Sequence, residues 1–182
     1  MEKITHRGNI IEVVQTEVAV GGRMKTFEFA RRAPGTRIIV KKDEAVLLTK
    51  EFRRERNAYD HRLPGGKVYD SLEEYNAALA SGIDILAAAE SAAAREAREE
   101  AGIVPKKLAF LHKSVCGATV VWDLFYFLVT DFETARQQPE EGEDISFAFY
   151  PPDEVRRMCL DGTIGEERSA LVLLRLLDAR RA

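Results

Sequence analysis

Cysteine is nearly absent. The two present, Cys116 and Cys159, lie far apart and without the spacing of a metal-ligand pair. This excludes a disulfide scaffold and a cysteine-rich metal site, and predicts two buried free thiols in a reducing cytoplasm. The three histidines, His6, His61 and His112, are equally scattered and form no zinc pattern. Apolar runs such as Ile85–Ala89 and Leu124–Val129 fall far short of the ~20 residues that cross a bilayer. The charged start, Met1 to Arg7, is followed by no apolar stretch, so neither an export signal nor a membrane partner is expected. Basic surplus is missing too. Lys plus Arg number 27 against 30 Asp plus Glu, a net charge of −3, which argues against nucleic acid as a partner. What remains is an ordinary globular composition, 182 residues of which 46% are hydrophobic, fitting one domain or a domain with a small appendage.

The first thirty residues read as strands. Asn9–Val20 is β-branched and partly alternating, and Gly21-Gly22 marks a turn before Met24–Phe29. Such a hairpin needs a surface to pack on, either the rest of the chain or a second copy. Arg37–Val40 and Glu44–Phe52 read as two further strands, and Leu63-Pro64-Gly65-Gly66 breaks regular structure. Ser71 with Glu74 forms a capping box opening a helix to about Ala80, which Ser81-Gly82 interrupts. Ile83–Ala101 is dense in Ala, Glu and Arg and ends at Gly102, a helix with its C-terminal stop. Leu108–His112, Thr119–Thr130 and Ile145–Tyr150 read as strands, Pro139–Asp144 as an acidic loop, and Asp153–Leu160 and Glu166–Ala179 as closing helices. This order predicts an α/β (α+β) sandwich.

The sharpest feature is Arg95-Glu96-Ala97-Arg98-Glu99-Glu100-Ala101-Gly102-Ile103. On a helix Glu96 and Glu100 stand one turn apart and Glu99 lies three residues after Glu96, so the three carboxylates share a face. Their repulsion becomes attraction if a hard divalent cation sits between them. Arg95, four residues before Glu99, is placed to hold that carboxylate.

Arg95-Glu96-Ala97-x-Glu99-Glu100-x-Gly102-Ile103 resembles the second half of the Nudix hydrolase box, Leu63-Pro64-Gly65-Gly66-Lys67 resembles the segment leading into it, Glu51-Phe52-Arg53 resembles a motif of the ADP-ribose pyrophosphatase branch, and Glu141-Gly142-Glu143-Asp144-Ile145 resembles that branch's acidic loop. Four motifs in the right order cover the chain from about Arg37 onward. One departure stands out: Gly66 and Arg95 lie 95 − 66 = 29 positions apart, about twice the family's spacing. The first Glu of the box is therefore either replaced by Glu73 or Glu90, or missing.

The resemblance implies a Nudix-type α/β/α sandwich with a mixed sheet over residues 35–182, and an N-terminal antiparallel β segment, residues 1–34, that forms a homodimer. It implies hydrolysis of the diphosphate of ADP-ribose or a related nucleotide sugar, with Mg2+ (or Mn2+) as cofactor and a nucleoside diphosphate derivative as the small-molecule partner. By the match Glu96, Glu100, Glu143 and the Gly65 carbonyl bind metal. Glu141 is the general base, and Glu99 is a further ligand or orienting neighbour. Arg53 clamps the substrate, its guanidinium offering planar bidentate donors, while Arg95, Gly66 and Gly102 support the site. Two alternatives stay open: a nucleoside triphosphate or dinucleoside polyphosphate hydrolase, and a non-catalytic nucleotide sensor.

Overall fold

The computed structural model describes residues 2–54, 56–139 and 144–179. Its centre is a mixed sheet of β4 (Gly35–Lys42), β5 (Ala45–Arg53), β6 (Ala58–Arg62), β8 (Ala109–Ser114), β10 (Leu124–Val129) and β12 (Ile145–Tyr150). The order is β12-β5-β4-β10-β8, with β6 pairing β5; β10 and β4 run parallel and the other pairs antiparallel. Side chains alternate across this sheet, as the period of two requires. Ile38, Val40, Leu47, Phe125, Phe127 and Val129 face helix α2 (Ile85–Ala101). Ile39, Val46, Leu48, Leu124 and Tyr126 face α3 (Pro152–Leu160) and α4 (Glu167–Asp178) on the other side. The result is the α/β/α sandwich expected.

Helix α2 positions the box. Its buried stripe, Ala89, Ala92, Ala93, Ala97 and Ala101, recurs at three- and four-residue steps. Small side chains there bring the helix axis close to the sheet. The helix starts at Ile85, two residues later than predicted, because the Asp84 side chain accepts from the amides of Leu86 and Ala87. It ends on Gly102 at φ 60°, where an added Cβ would lie 2.4 Å from the Ala135 carbonyl oxygen.

A second sheet, β1 (Glu2–Arg7), β2 (Ile11–Val20), β3 (Arg23–Arg32) and β9 (Val120–Val121), holds the N-terminal segment. The predicted strand Thr119–Thr130 is thus two. Val120 and Val121 pair with Ala30 and Arg31 in this sheet, whereas Leu124–Val129 pair with β4 in the other, so the chain must turn at Trp122-Asp123. Strand β6 was not legible either, because its residues, Ala-Tyr-Asp-His-Arg, alternate poorly; it forms as the return arm of a hairpin whose turn holds Asn57 at φ 49°. Two short strands, β7 (Ile103–Pro105) and β11 (Phe132–Thr134), add a small ribbon after α2.

The residues between Gly66 and α2 fold as α1 (Leu72–Ser81), capped by Ser71 and ended by Gly82. This helix is tied to the N-terminal sheet. Glu12 on β2 is fully buried and accepts from Arg7 on β1, Arg31 on β3 and Asn76 on α1. The cysteines correct one expectation: both are free, but Cys116 is exposed, and Cys159 is half-buried with its thiol pushed up to about 11 by burial. Among the described residues no helix is long and apolar enough to cross a membrane.

Candidate active site

The segment Pro64–Val68 lies along the start of β4, with Ile38 donating to Pro64 O, Thr36 to Gly66 O and Val68 to Pro34 O. That pairing presses two glycines against the C-terminal half of α2. Gly65 sits at φ 148°, and a Cβ there would lie 2.1 Å from Thr36 O, so only glycine fits. Its amide donates to Glu100 Oε2 at 2.9 Å. A Cβ on Gly66 would meet the Glu96 carboxylate, with Oε1 2.3 Å away, so that side chain would have to shift. The two glycines thus form a cradle for two of the three box carboxylates.

Arg95 holds the carboxylates from the other side. Its Nη2 donates to Glu96 Oε1 at 3.1 Å and to Lys67 O at 3.2 Å, and its Nε lies 3.7 Å from Glu99 Oε2. Burial would lower the Arg95 pKa, but the hydrogen bond to Glu96 and the charges of Glu96, Glu99 and Asp70 raise it above the ordinary value. The guanidinium therefore stays charged and offsets the repulsion between neighbouring glutamates.

These groups line one cleft of about 350 Å³, which contains Gly65, Gly66, Arg95, Glu96, Glu99, Glu100 and Arg53. Arg53, at the end of β5, is fixed by a 2.8 Å ion pair to Glu51, and its Nε is buried with no hydrogen-bond partner. Gly102 lies outside the cleft, stopping α2. Glu141 and Glu143 fall outside the described residues, as does Glu140. The loop's last residue, Asp144, is described: its carbonyl accepts from the Phe52 amide at 3.1 Å, next to Arg53.

Glu73 and Glu90 are both exposed and neither lines the cleft. Of the acids between Gly66 and Arg95, the one that lines it is Asp70, whose charge acts on Arg95. Sequence spacing pointed only to glutamates within the insertion and passed over the aspartate just before α1. Arg37 was missed as well. It is buried, donates to Glu166 through Nε at 2.8 Å and Nη2 at 2.7 Å, and ties the cleft floor to the head of α4. Burial works against the charged form of both partners, but their hydrogen bonds outweigh it, so Arg37 is raised and Glu166 lowered. Arg32 and Trp122, also in the lining, carried no motif that would have marked them.

Among the described residues no three His, Cys, Asp or Glu side chains converge as a ready-made metal site. The donor chemistry nevertheless fits a hard cation. Glu96, Glu99 and Glu100 present carboxylate oxygens to one cleft, and the glycine cradle fixes two of them, which suits Mg2+ or Mn2+ rather than a soft metal.

The NUDIX domain family model matches residues 31–170. A crystal structure of an ADP compounds hydrolase superposes with a TM-score of 0.73 at 17% sequence identity, covering 100% of this chain and 92% of that one. No curated protein matches the chain significantly by sequence. The structural likeness establishes the fold, and the family match extends over most of the length, from the end of β3 into α4. The chain belongs to the NUDIX family and is a NUDIX pyrophosphohydrolase.

Proposed function

We propose that the protein hydrolyses the diphosphate bond of ADP-ribose or a related nucleotide sugar with Mg2+, giving a nucleoside monophosphate and a sugar phosphate. NUDIX hydrolases act on nucleoside diphosphate derivatives and generally use divalent cations. The observation that carries the narrower reading is the single cleft in which the glycine-cradled glutamates of α2 face Arg53 of the Glu-Phe-Arg motif. Glu96, Glu100 and Glu99 would hold the cation, which when bound neutralises diphosphate oxygens and acidifies a water. Arg53 offers its unfilled donors to a phosphate oxygen. Arg95, steadied by Asp70, keeps Glu96 and Glu99 oriented toward the cleft. Glu141 is proposed as the base and Glu143 as an additional ligand.

The test is a substrate panel of ADP-ribose, several nucleotide sugars and nucleoside triphosphates, each with Mg2+ and with chelator. The expected result is monophosphate release from ADP-ribose or a nucleotide sugar, with Mg2+ only. Faster turnover of the triphosphates would assign the chain to housecleaning hydrolysis. Tight binding with no turnover of any compound would favour a sensor.

Residues 1–34 are proposed to form a homodimer. Directly opposed residues of an antiparallel pair share a face, and the register sets Ile4 beside Val14 and Thr16 beside Phe27, with Val18 and Val20 continuing the row. Val14 is fully buried at the inner end, whereas Ile4, Val18, Val20 and Phe27 are 40–49% exposed. A contiguous apolar row of this kind marks an interaction surface. In solution scattering, wild-type protein is expected at twice the 20.4 kDa chain mass, and Phe27→Asp at the chain mass itself. A monomeric wild type at micromolar concentration would refute the dimer.

A further inference from the structure

The cations of the cleft fall into two groups. Arg37 is bound to Glu166, Arg53 to Glu51, Arg62 to Asp60 and Arg95 to Glu96. Arg32 and Lys67 line the same cleft, and among the described residues neither forms an ion pair with a carboxylate. Arg32 is held firmly all the same. Its guanidinium lies 4.3 Å from the Trp122 ring centroid, and that ring also carries Arg168 at 4.3 Å. Stacking leaves the planar N–H edge of a guanidinium open to bidentate acceptors. The Nε of Arg32 is buried and has no hydrogen-bond partner. Burial, then the like charges of Arg37 and Arg168, hold its pKa below the usual value, so this cation is strained by its surroundings rather than satisfied by them.

A second observation points to the same place. Arg32 and Lys67 also line a small recess of about 30 Å³ together with Tyr69, Ser71 and Leu72 at the head of the inserted segment. That is about the volume of one oxygen-sized group. The Tyr69 hydroxyl is buried and has no hydrogen-bond partner, although a buried donor left unmet is costly. No glutamate of α2 reaches the recess; Asp70 is the one carboxylate in its described lining. Arg32 and Lys67, neither in an ion pair among the described residues, and two unmet donors therefore border one recess beside the glutamates of α2, with Asp70 as its carboxylate. One oxygen of a phosphate monoester fits the recess, and its other two would lie in the adjoining cleft that Arg32 and Lys67 also line.

We propose that Arg32, Lys67 and the Tyr69 hydroxyl form an anion subsite, separate from the carboxylate helix, for a phosphomonoester carried by the substrate outside its scissile diphosphate. This deepens the substrate class proposed above and rests on that reading. The phosphate sits on either the nucleoside or the sugar, and the test separates the two. ADP-ribose, ADP-ribose 2′-phosphate and ADP-ribose 1″-phosphate are titrated calorimetrically into metal-free protein in EDTA, and each is assayed with Mg2+. One phosphorylated compound should bind about tenfold tighter than ADP-ribose, the effect of one charge-assisted hydrogen bond, and its identity names the moiety. In Tyr69→Phe and Lys67→Ala that ratio should fall toward one. Arg32→Ala should abolish it, and the other two variants decide the matter if loss of the Trp122 stack prevents folding. Equal affinity for all three compounds in wild type overturns the subsite. So does equal weakening of all three by the variants, which would place these residues on the scissile diphosphate. Preferential phosphorylated binding without any turnover would keep the subsite and refute the hydrolase reading, whereas ADP-ribose turnover without preference would do the reverse.

Discussion

Glu100→Gln should lower kcat/KM for ADP-ribose by on the order of a thousandfold while the protein stays folded. A metal-held charge supplies several kcal/mol of transition-state stabilisation, and 1.36 kcal/mol is a factor of ten in rate. Glu100 is the most buried of the three box glutamates, and its carboxylate is fixed by the Gly65 amide at 2.9 Å. Glutamine keeps the volume and keeps one oxygen to accept that hydrogen bond, so the cradle persists. What is lost is the negative charge that a hard cation needs. Raising Mg2+ should therefore recover part of the activity, and the melting temperature should stay within a few degrees. Glu99→Gln should cost less, because Glu99 is less buried and its contact is the looser 3.7 Å pair with Arg95. If Glu100→Gln retained activity within tenfold of wild type, Glu100 would not be a metal ligand.

Helical spacing was enough to place Glu96, Glu99 and Glu100 on one face, because the period of the α-helix is fixed. The glycine pair was legible as a break, but not as a cradle. That role depends on Pro64–Val68 pairing with β4, a contact between residues some thirty positions apart in sequence. The same limit explains Asp70 and Arg32. Asp70 comes near Arg95 because Lys67, three residues earlier, is held to Arg95 through its carbonyl. Arg32 reaches the cleft only because β3 ends where β4 begins, beside the turn at Trp122. Strand β6 and the split at Trp122-Asp123 were hidden for a related reason: which sheet a strand joins is decided by its partner, not by its own alternation. The insertion itself was visible as a spacing anomaly, and its physical role emerges in the contact between α1 and the N-terminal sheet.

That contact carries the largest expected effect on stability. Glu12→Gln should destabilise the protein by about 3 kcal/mol at pH 7, as breaking one side of a buried ion pair does. The Glu12 carboxylate accepts from Arg7, Arg31 and Asn76, thereby joining β1, β2, β3 and α1 at one point. A glutamine amide would set its own N–H donors against those three and leave Arg31, itself mostly buried, with Glu2 as its remaining carboxylate partner. Burial alone would raise the Glu12 pKa, but the hydrogen bonds from Arg31, Asn76 and Arg7 outweigh it and hold the group below its ordinary value of 4.5. A carboxylate depressed in the folded state contributes stability that is fully present above the unfolded value and is lost as pH falls through the folded one. The gap between wild type and Glu12→Gln should therefore be constant from pH 7 to about pH 5, narrow as pH falls below 4.5, and close below the depressed folded value, where wild type carries the neutral acid and resembles the variant. Urea unfolding of both proteins across pH 3–7, read as ΔG in water, measures this directly. A gap that did not change with pH would mean that the variant acts through packing rather than through the charge of Glu12. Because α1 follows directly on Asp70, the variant should also raise KM for ADP-ribose even at pH 7, where the remaining fold is intact.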